Sequence, residues 1–492
     1  MEGKRKSSST TQEVIKKQRD QEIYIRGSVN EDETKKLLRD AWVHANAAKN
    51  SNFEVIREPF KCCIINNLIE DKSFFDDLGD ELSSLDLVAK NNDLYQFHQS
   101  QDLGNVVTPA INNLKNFLLR QCRSWLQDVT NIELNNKLSL TYSCYSNSDY
   151  LLCHDDKCED RRIAFILYLN KEWKEDEGGA LQLFSTDDSG QPVEVVRSII
   201  PEFNKFVFFE VTDKSFHQVA EVLTDNFRMT VNGWFHSSVH CSQSNFKESL
   251  PLRLPPRPPS DAEALFEYIN PVYLGENYHQ EVSEIFEEQS QISLSEFLKE
   301  NVYDTLCSAL RSDNIQWKKR GPPNRRQYFV PVDETVPEYV KSFIEFFSST
   351  AVFTFLHKLT KLDLVPCDGE QKNLMSSASS SSDNVGSGDP KCSVEIQMWQ
   401  HGCYTLVNDD DPTFKESALD AVIYFNVDDV EEEHGGFTSY IARDEDLELL
   451  TVTPVKNALA LSYRDDETLR FVKFINHYCT GKFYTLSFVY HE

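Results

Sequence analysis

The chain has 492 residues, of which 40% are apolar and 12% aromatic, so it is long enough for two or three domains with sizeable cores. No run approaches the ~20 consecutive apolar residues of a membrane-spanning helix, which excludes an integral membrane protein. The formal net charge of −29 repels nucleic-acid phosphates and attracts basic partners, so general nucleic-acid binding is disfavoured.

Residues 1–26 are polar and hold seven basic and four acidic side chains. We expect them to form a disordered tail, and two interpretations of its basic residues stay open: a solvated tail and a nuclear-import signal. The first residues lack the apolar run of a secretory signal, and the 12 cysteines include no CxxC pair. These features predict free thiols in a reducing compartment, here the nucleus and cytoplasm.

Residues 27–249 are predicted to form one domain with helices packed outside a β core. Apolar patterns indicate helices at 30–50 and 106–129, with an entry strand within 58–69. Runs rich in β-branched and aromatic residues follow, separated by turn signals, at 138–145, 162–170, 180–185, 205–211 and 228–235. Short strands at this spacing favour a sandwich or barrel, here a jelly-roll-like core.

Two segments whose composition interrupts regular secondary structure divide the remaining chain. The Pro-rich segment 250–260 (LPLRLPPRPPS) is expected to be a semi-rigid linker that cannot continue a sheet. The Ser-, Gly- and Asp-rich segment 367–391 is expected to be a disordered loop inside the second half.

The second half repeats the order of the first. VEIQMWQHGCYTLV parallels LSLTYSCYSNSDYLL, ALDAVIYFN parallels RIAFILYLN, and EEHGGFTSYIARD parallels EDEGGALQLFSTD. KFYTLSFVYH likewise parallels FRMTVNGWFH near the end of each half. Blocks repeated in one order indicate a duplicated β domain, which places the second copy at 261–492.

A possible metal site lies on this β pattern in the first copy. His154 and Asp156 are two residues apart, and His217 follows much later. Two imidazoles and one carboxylate form the facial triad of a non-haem Fe(II) oxygenase. We expect His154 and Asp156 to point the same way, because residues i and i+2 of an extended strand share a face. His217 is expected to reach them from a distant strand across the barrel.

These motifs resemble the 2-oxoglutarate- and Fe(II)-dependent oxygenase superfamily, in its prolyl-hydroxylase-like branch. The resemblance implies that the three residues bind Fe(II), with 2-oxoglutarate and O2 as cosubstrates and L-ascorbate as reductant. It also implies that Arg228 pairs with the distal carboxylate of 2-oxoglutarate, that Tyr168 shares that carboxylate, and that Tyr145 is a second tyrosine on the cosubstrate side. Residues 178–184 (GGALQLF) resemble the Gly–Gly strand opening of that family.

Over roughly residues 30–492, apart from the Ser-rich loop, the chain resembles the eukaryotic prolyl 3-hydroxylases of a small-subunit ribosomal protein. The motifs that carry the likeness are HDDKCEDRRIAFILYLN, IPEFNKFVFFEV, SFHQVAEV and NGWFH. It implies an α+β, mainly β chain of two double-stranded β-helix (jelly-roll) domains flanked by helices, the first catalytic and the second degenerate.

That resemblance also implies a reaction and its partners. The substrate would be one proline, hydroxylated at C3, in a basic decoding-centre protein of the small ribosomal subunit, with an effect on translation accuracy or termination. The second domain would bind translation-machinery partners.

The positions that carry chemistry in the first copy are changed in the second. Asn408-Asp409-Asp410 stands where the first copy has His-Asp-Asp, Arg470 stands for His217 and Phe483 for Arg228, whereas Tyr424 keeps the place of Tyr168. An arginine cannot ligate a divalent cation and would repel it. We therefore expect the second domain to be non-catalytic.

Other functions stay open. The acidic balance disfavours a nucleic-acid demethylase, but an oxygen-sensing scaffold that binds partners through the second domain, or a hydroxylase of another protein, would fit the same residues. Acidic runs at 428–433 and 444–448 could steer a basic substrate or be solvated loops. The basic segment 316–329 could contact ribosomal RNA or an acidic partner, or be a solvated turn.

Overall fold

A computed structural model describes residues 22–158, 160–238, 246, 248–365, 389–428, 430–443 and 448–492. The chain divides into two compact units, Met1–Phe246 and Lys247–Glu492. Both units are mostly β, with antiparallel strand pairs and helices packed against the sheets. Among the described residues, every helix is too short or too polar to cross a membrane.

The helices of the first unit are α1 (Gly27–Asn30), α2 (Asp32–Val43), α3 (Phe74–Ser83), α4 (Pro109–Asn116) and α5 (Arg123–Thr130). The π-helical stretch Phe117–Cys122 joins α4 to α5, so the helix predicted over 106–129 is one continuous helical segment. Pro109 opens it, where no intrahelical N–H is needed, and left-handed Asn131 closes it. The helix predicted over 30–50 ends earlier, at Val43.

The strands of the first unit are β1 (Ala48–Lys49), β2 (Phe53–Ile56), β3 (Cys62–Ile65), β4 (Leu87–Asn91), β5 (Tyr95–Ser100), β6 (Leu138–Tyr145), β7 (Tyr150–His154), β8 (Arg161–Tyr168), β9 (Leu181–Thr186), β10 (Pro192–Ile199), β11 (Phe206–Glu210), β12 (His217–Val219) and β13 (Arg228–His236). They form one antiparallel sheet in the order β1-β2-β3-β11-β8-β13-β6-β5-β7-β12-β9-β10, with β4 beside β5. The five predicted β-type runs correspond to β6, β8, β9, β11 and β13.

Strand β11 shows how the sheet separates two cores. Phe206 and Phe208 belong to the core under the helices, whereas Val207 and Phe209 belong to a second core on the other face. This alternation follows from the two-residue period of a strand. On the helix side, the Trp42 ring lies 5.2 Å from the Phe208 ring, centroid to centroid.

The second unit has helices α6 (Leu265–Tyr268), α7 (Glu276–Gln289), α8 (Glu300–Leu310), α9 (Glu338–Phe347) and α10 (Thr350–Thr360). Its strands are β14 (Gln291–Leu294), β15 (Trp317–Arg320), β16 (Arg326–Pro331), β17 (Lys391–Trp399), β18 (Tyr404–Thr405), β19 (Ala418–Phe425), β20 (Thr438–Ala442), β21 (Glu448–Val452), β22 (Leu459–Arg464), β23 (Thr468–Val472) and β24 (Phe483–His491). One sheet runs β14-β22-β19-β24-β17-β16-β15 with β18 beside β16, and a smaller one runs β21-β20-β23.

Three predicted boundaries are wrong. The first domain was expected to end at residue 249, but the first unit ends at Phe246. Residues 1–21 of the expected tail lie outside the described residues, but Ile23 and Ile25 are buried and Ile25 bridges to Ile69, so the tail ends before residue 26. The loop expected over 367–391 also extends too far, because Lys391 begins β17. Residues 367–388 lie outside the described part of the chain.

The Pro-rich segment does continue a sheet edge, contrary to expectation. Leu254 and Cys392 exchange two backbone hydrogen bonds of 2.8 and 2.9 Å. Only its prolines lack an N–H, so an intervening leucine can still pair. Arg253 next to it forms an ion pair with Glu416, so this segment is attached to the second unit.

The ten cysteines among the described residues are free thiols, as expected. Cys153 is buried and Cys158 is exposed, so the two cysteines that flank His154 do not form a disulfide.

We predict that Phe208→Ala lowers the free energy of unfolding of the first unit by about 3–5 kcal/mol, because it empties a fully buried aromatic site. Urea unfolding followed by tryptophan fluorescence would measure the loss. Val196→Ala, at a 49% exposed position of β10, is the control and should change stability by less than about 0.5 kcal/mol. Equal effects of the two substitutions would contradict the packing described here.

Candidate active site

Two neighbouring strands bring the three predicted metal ligands together. His154 is the last residue of β7 and His217 the first of β12, and the two are direct partners in the antiparallel register. Asp156 Oδ1 lies 3.5 Å from His154 Nε2, and its Oδ2 lies 3.4 Å from His217 Nε2. All three side chains are at least four-fifths buried.

The local reason predicted for this arrangement is wrong in two respects. Asp156 lies beyond the end of β7 with a left-handed φ of 62°, so its carboxylate is aimed by a turn and not by the strand alternation. His217 comes from the adjacent strand and not from across the barrel. A non-glycine residue with positive φ is uncommon, and such strain is often found at functional sites.

Backbone carbonyls fix the orientation of both imidazoles. His154 Nδ1 lies 2.8 Å from the Leu152 carbonyl, and His217 Nδ1 lies 2.8 Å from the Ser215 carbonyl. Each Nδ1 therefore donates to a carbonyl, which leaves Nε2 facing Asp156 as the nitrogen that a metal could use. Ser215 Oγ also donates to the Asp155 carbonyl at 3.0 Å, which ties β12 to the turn.

The charges of this cluster suit a cation. Burial alone would raise the pKa of Asp156, but hydrogen bonds and charge from the two histidines hold it well below its ordinary value. Burial would lower the pKa of His154, but Asp156 raises it overall. An ionised carboxylate with two oriented imidazoles is the donor set that Fe(II) oxygenases use, so these residues fit such a metal.

Arg228 lies in an adjacent buried compartment. Its side chain is 1% exposed, its Nε donates to the Gly179 carbonyl at 2.6 Å, and its guanidinium lies 4.9 Å from the Tyr145 ring and 5.4 Å from the Tyr168 ring. Tyr145 in turn stacks on Phe97 at 4.6 Å. The three residues predicted to hold the cosubstrate are therefore brought together.

Two polar atoms of this compartment have no hydrogen-bond partner among the described residues: Nη2 of Arg228 and Oη of Tyr168. Burial raises the pKa of Tyr168 to about 12, against the nearby charge of Arg228, so the phenol stays protonated and can donate. Buried donors are rarely left unpaired, and a carboxylate would accept from both. The compartment thus fits the distal carboxylate of 2-oxoglutarate.

The Gly–Gly pair lets the segment that follows β12 and the Arg228 side chain approach the backbone closely. A Cβ on Gly178 would lie 2.1 Å from the Glu221 carbonyl oxygen, and one on Gly179 would lie 2.9 Å from Arg228 Cδ. Both glycines also have positive φ values, 71° and 63°. No other residue type satisfies both demands without strain.

Sequence reasoning missed Arg161. Its guanidinium stacks on the Trp234 ring at 3.7 Å, and its Nη1 lies 3.7 Å from Asp156 Oδ1. It therefore neutralises part of the Asp156 charge. In the sequence it is one of two adjacent arginines, and Arg162 pairs with Glu210 instead, so no pattern distinguished them.

Strand register locates the equivalent positions in the second unit. Tyr440 on β20 pairs with Arg470 on β23, just as Leu183 on β9 pairs with His217 on β12. Tyr440 and Leu183 each lie four residues after the second glycine of a Gly–Gly pair. The predicted replacement of a histidine by an arginine therefore agrees with the register.

The cosubstrate positions can be located in the same way. Thr230 pairs with Tyr168 in the first unit, and Thr485 pairs with Tyr424 in the second. By this register Phe483 corresponds to Arg228. Trp399, which pairs with Phe483 from β17, corresponds to Tyr145.

One further contact locates the position in the second unit that corresponds to His154. Val472 donates to Thr405 Oγ1, whereas Val219 pairs with Leu151. Asn408 lies three residues after Thr405, as His154 does after Leu151.

Comparisons with known proteins agree with this geometry. Residues 140–236 match the family model described as 2OG-Fe(II) oxygenase superfamily, and residues 260–492 match the model described as oxoglutarate and iron-dependent oxygenase degradation C-term. The chain is 40% identical to the prolyl 3-hydroxylase OGFOD1 of Xenopus laevis and 37% identical to that of Mus musculus, each over the full length of both chains. It is 32% identical to the prolyl 3-hydroxylase sudestada1 of Drosophila melanogaster, over 92% of this chain and 88% of that protein.

We predict that Gly179→Ala weakens the binding of 2-oxoglutarate by about 10-fold or more, because the added methyl group displaces the Arg228 side chain. The dissociation constant of 2-oxoglutarate for the metal-loaded protein measures the effect. Gly190→Ala is the matched control, since Gly190 has a similar φ of 78° but open space around its Cβ position. Unchanged 2-oxoglutarate affinity in Gly179→Ala would contradict the role assigned to Arg228.

Proposed function

Because the chain belongs to the prolyl 3-hydroxylase OGFOD1 family of 2-oxoglutarate- and Fe(II)-dependent oxygenases, we propose that it hydroxylates C3 of a prolyl residue in a basic protein of the small ribosomal subunit. The reaction type is that of a 2-oxoglutarate-dependent prolyl hydroxylase. The observation that carries it is the buried triad of His154, Asp156 and His217 beside the unpaired donors of Arg228 and Tyr168.

The roles of the residues follow from their contacts. His154, Asp156 and His217 would hold Fe(II), and Arg228 with Tyr168 would hold the distal carboxylate of 2-oxoglutarate. When bound, iron and 2-oxoglutarate supply the oxidising chemistry that inserts one oxygen atom of O2 into the substrate, with ascorbate as the reductant typical of the family. The protein orients both groups and keeps the compartment dry.

The proposal also covers the effect of the hydroxylation in the cell and the compartments in which the enzyme acts. The substrate protein would lie in the decoding centre, so that its hydroxylation affects translation accuracy or termination, and the enzyme would act in the nucleus and cytoplasm. The net charge of −29 supports a basic substrate. A hydroxylase of another basic protein would have the same site.

We also propose that each unit is a double-stranded β-helix and that the second does not catalyse. Support comes from the strands, which follow the same order in both units. It also comes from Arg470 and Phe483, which lie at the positions of a metal ligand and the cosubstrate arginine. Loss of the His, Asp and His triad at the corresponding described positions favours a second role, in which this unit binds translation-machinery partners or serves as the scaffold of an oxygen-sensing regulator.

We predict that Asp156→Ala lowers 2-oxoglutarate-dependent prolyl hydroxylation by more than ~100-fold, because even the partners of metal ligands are typically worth 10–100-fold. The assay is mass spectrometry of a proline-containing peptide of the ribosomal protein, where one inserted oxygen adds about 16 Da. Asp410→Ala, at the equivalent exposed position of the second unit, should keep full activity. Full activity in Asp156→Ala, or a requirement for Asp410, would rule out the assignment.

The acidic run at 428–433 provides a test of substrate steering. Asp428, Glu431, Glu432 and Glu433 are exposed, whereas most of the run at 444–448 lies outside the described residues. Changing the three glutamates to lysine should lower kcat/KM for the basic peptide several-fold at low salt, and less at high salt.

The same charge change made at Glu284, Glu287 and Glu288 on α7 is the control. These glutamates are exposed as well, so a change in net charge alone would act equally at both sites. Equal effects would show that the run at 428–433 has no special part in recruiting substrate.

A further inference from the structure

The second unit contains a partly open cavity of about 210 Å³. This volume is below the ~300–1,000 Å³ of sites for drug-sized ligands, so it suits a small molecule. Its wall includes five residues that hold positions of the first unit's site, namely Trp399, Tyr424, Gly436, Arg470 and Phe483. The cavity therefore lies where the first unit has its triad and cosubstrate residues, with Arg470 at the position of His217.

Arginines are concentrated around the cavity, although the unit as a whole is acidic. Residues 251–492 hold 21 basic and 40 acidic side chains, a balance of −19. Six of the nine arginines in that range nevertheless line this cavity, against three acidic residues. Such a concentration of one residue type in one place is not explained by the composition of the unit.

Arg253 offers an unused binding edge. Its Nη1 bonds to Glu416, but its buried Nε and Nη2 have no hydrogen-bond partner among the described residues. These two nitrogens form one edge of the guanidinium, the fork that binds a carboxylate or phosphate through two parallel hydrogen bonds. Buried donors of this kind indicate a missing acceptor.

His491 lies beside the same arginine. It is 7% exposed, lines the cavity, and its Nδ1 has no hydrogen-bond partner within the described part of the chain. Burial, with the positive charges of Arg253 and Arg464, lowers the pKa of His491 to about 4. The imidazole is thus neutral, and its Nδ1 lies 3.9 Å from Glu416 Oε2, beyond hydrogen-bond distance.

Asp420 holds the deeper arginines in place. It is fully buried and contacts Arg464 Nε at 3.3 Å and Arg470 Nη1 at 2.8 Å, while the Tyr440 hydroxyl donates to it at 3.1 Å. One carboxylate shared by two guanidinium groups leaves one positive charge uncompensated within this group. The arginines are thereby preorganised, as an anion site requires.

We propose that this cavity binds a small anion through a phosphate or carboxylate group held at Arg253, Arg464 and His491. The proposal does not depend on the reaction assigned to the first unit. The bound group would supply the acceptors that Arg253 and His491 lack, and the aromatic walls, Trp399 and Phe483 among them, would contact the rest of the molecule.

The test uses the full chain labelled with 5-fluorotryptophan and followed by fluorine NMR. Trp399 lines the cavity and is assigned by Trp399→Phe, whereas Trp173 and Trp234 lie at the first unit's site and report on that site separately. Inorganic phosphate and succinate are titrated in turn, with sodium chloride at matched ionic strength as the blank. We expect a saturable shift of the Trp399 resonance.

Arg253→Met should weaken that binding by at least 10-fold. The substitution leaves Glu416, which is 57% exposed, so it creates no buried unpaired charge, and prolyl hydroxylation should be unchanged. Arg257→Met is the matched control, because Arg257 lies in the same segment but is exposed and outside the cavity. An unchanged Trp317 resonance, from strand β15 of the same unit and outside the cavity, shows that both variants keep the second unit folded.

Each outcome decides the proposal. A saturable Trp399 shift with phosphate, succinate or both, lost in Arg253→Met and kept in Arg257→Met, supports it and identifies the group. A shift that chloride reproduces, that survives in Arg253→Met, or that appears only at Trp173 and Trp234 overturns it, as does the absence of any shift.

Discussion

The antiparallel pairing of β7 with β12 is the constraint on which the site depends. It sets His154 opposite His217 and so fixes the separation of two imidazoles before any metal is bound. Other contacts complete the site around this pair. Carbonyls orient the rings, a left-handed turn directs Asp156 between them, and the Gly–Gly pair lets the segment after β12 approach. Preorganisation of this kind comes from the sheet, because strands fix positions more accurately than loops do.

The sequence was sufficient to predict five of the strands of the first unit, because each is a run rich in β-branched and aromatic residues, and the family resemblance pointed to the residues that the structure brings together around His154 and Arg228. It could not predict the turn at Asp156, since positive φ in an aspartate leaves no mark in the residue order. Nor could it separate Arg161, which stacks on Trp234 and approaches Asp156, from Arg162 next to it, because the register of β8 against β13 decides which arginine faces the site. Partner choice between strands is a tertiary property.

The two units share one backbone feature of the site region and differ in the side chains around it. Gly178 and Gly435 both have positive φ and both lie against a carbonyl oxygen, at 2.1 and 2.0 Å from an added Cβ. The close backbone approach is therefore present in both units, although the side chains around it differ. His217 and Arg470 occupy the same register position but have opposite consequences, since one offers a lone pair and the other a fixed positive charge.

The attachment of the Pro-rich segment affects how the protein can be dissected. Glu248 accepts a hydrogen bond from Arg326, and Leu254 pairs with Cys392 at a strand edge. Both Glu248 and Leu254 precede residue 260, where the match to the second family model begins. A fragment cut at residue 260 would expose the Cys392 backbone as an unpaired strand edge, a common route to self-association. A fragment that starts upstream of Glu248 would retain these contacts, so fragment boundaries are better chosen by backbone pairing than by the limits of sequence similarity.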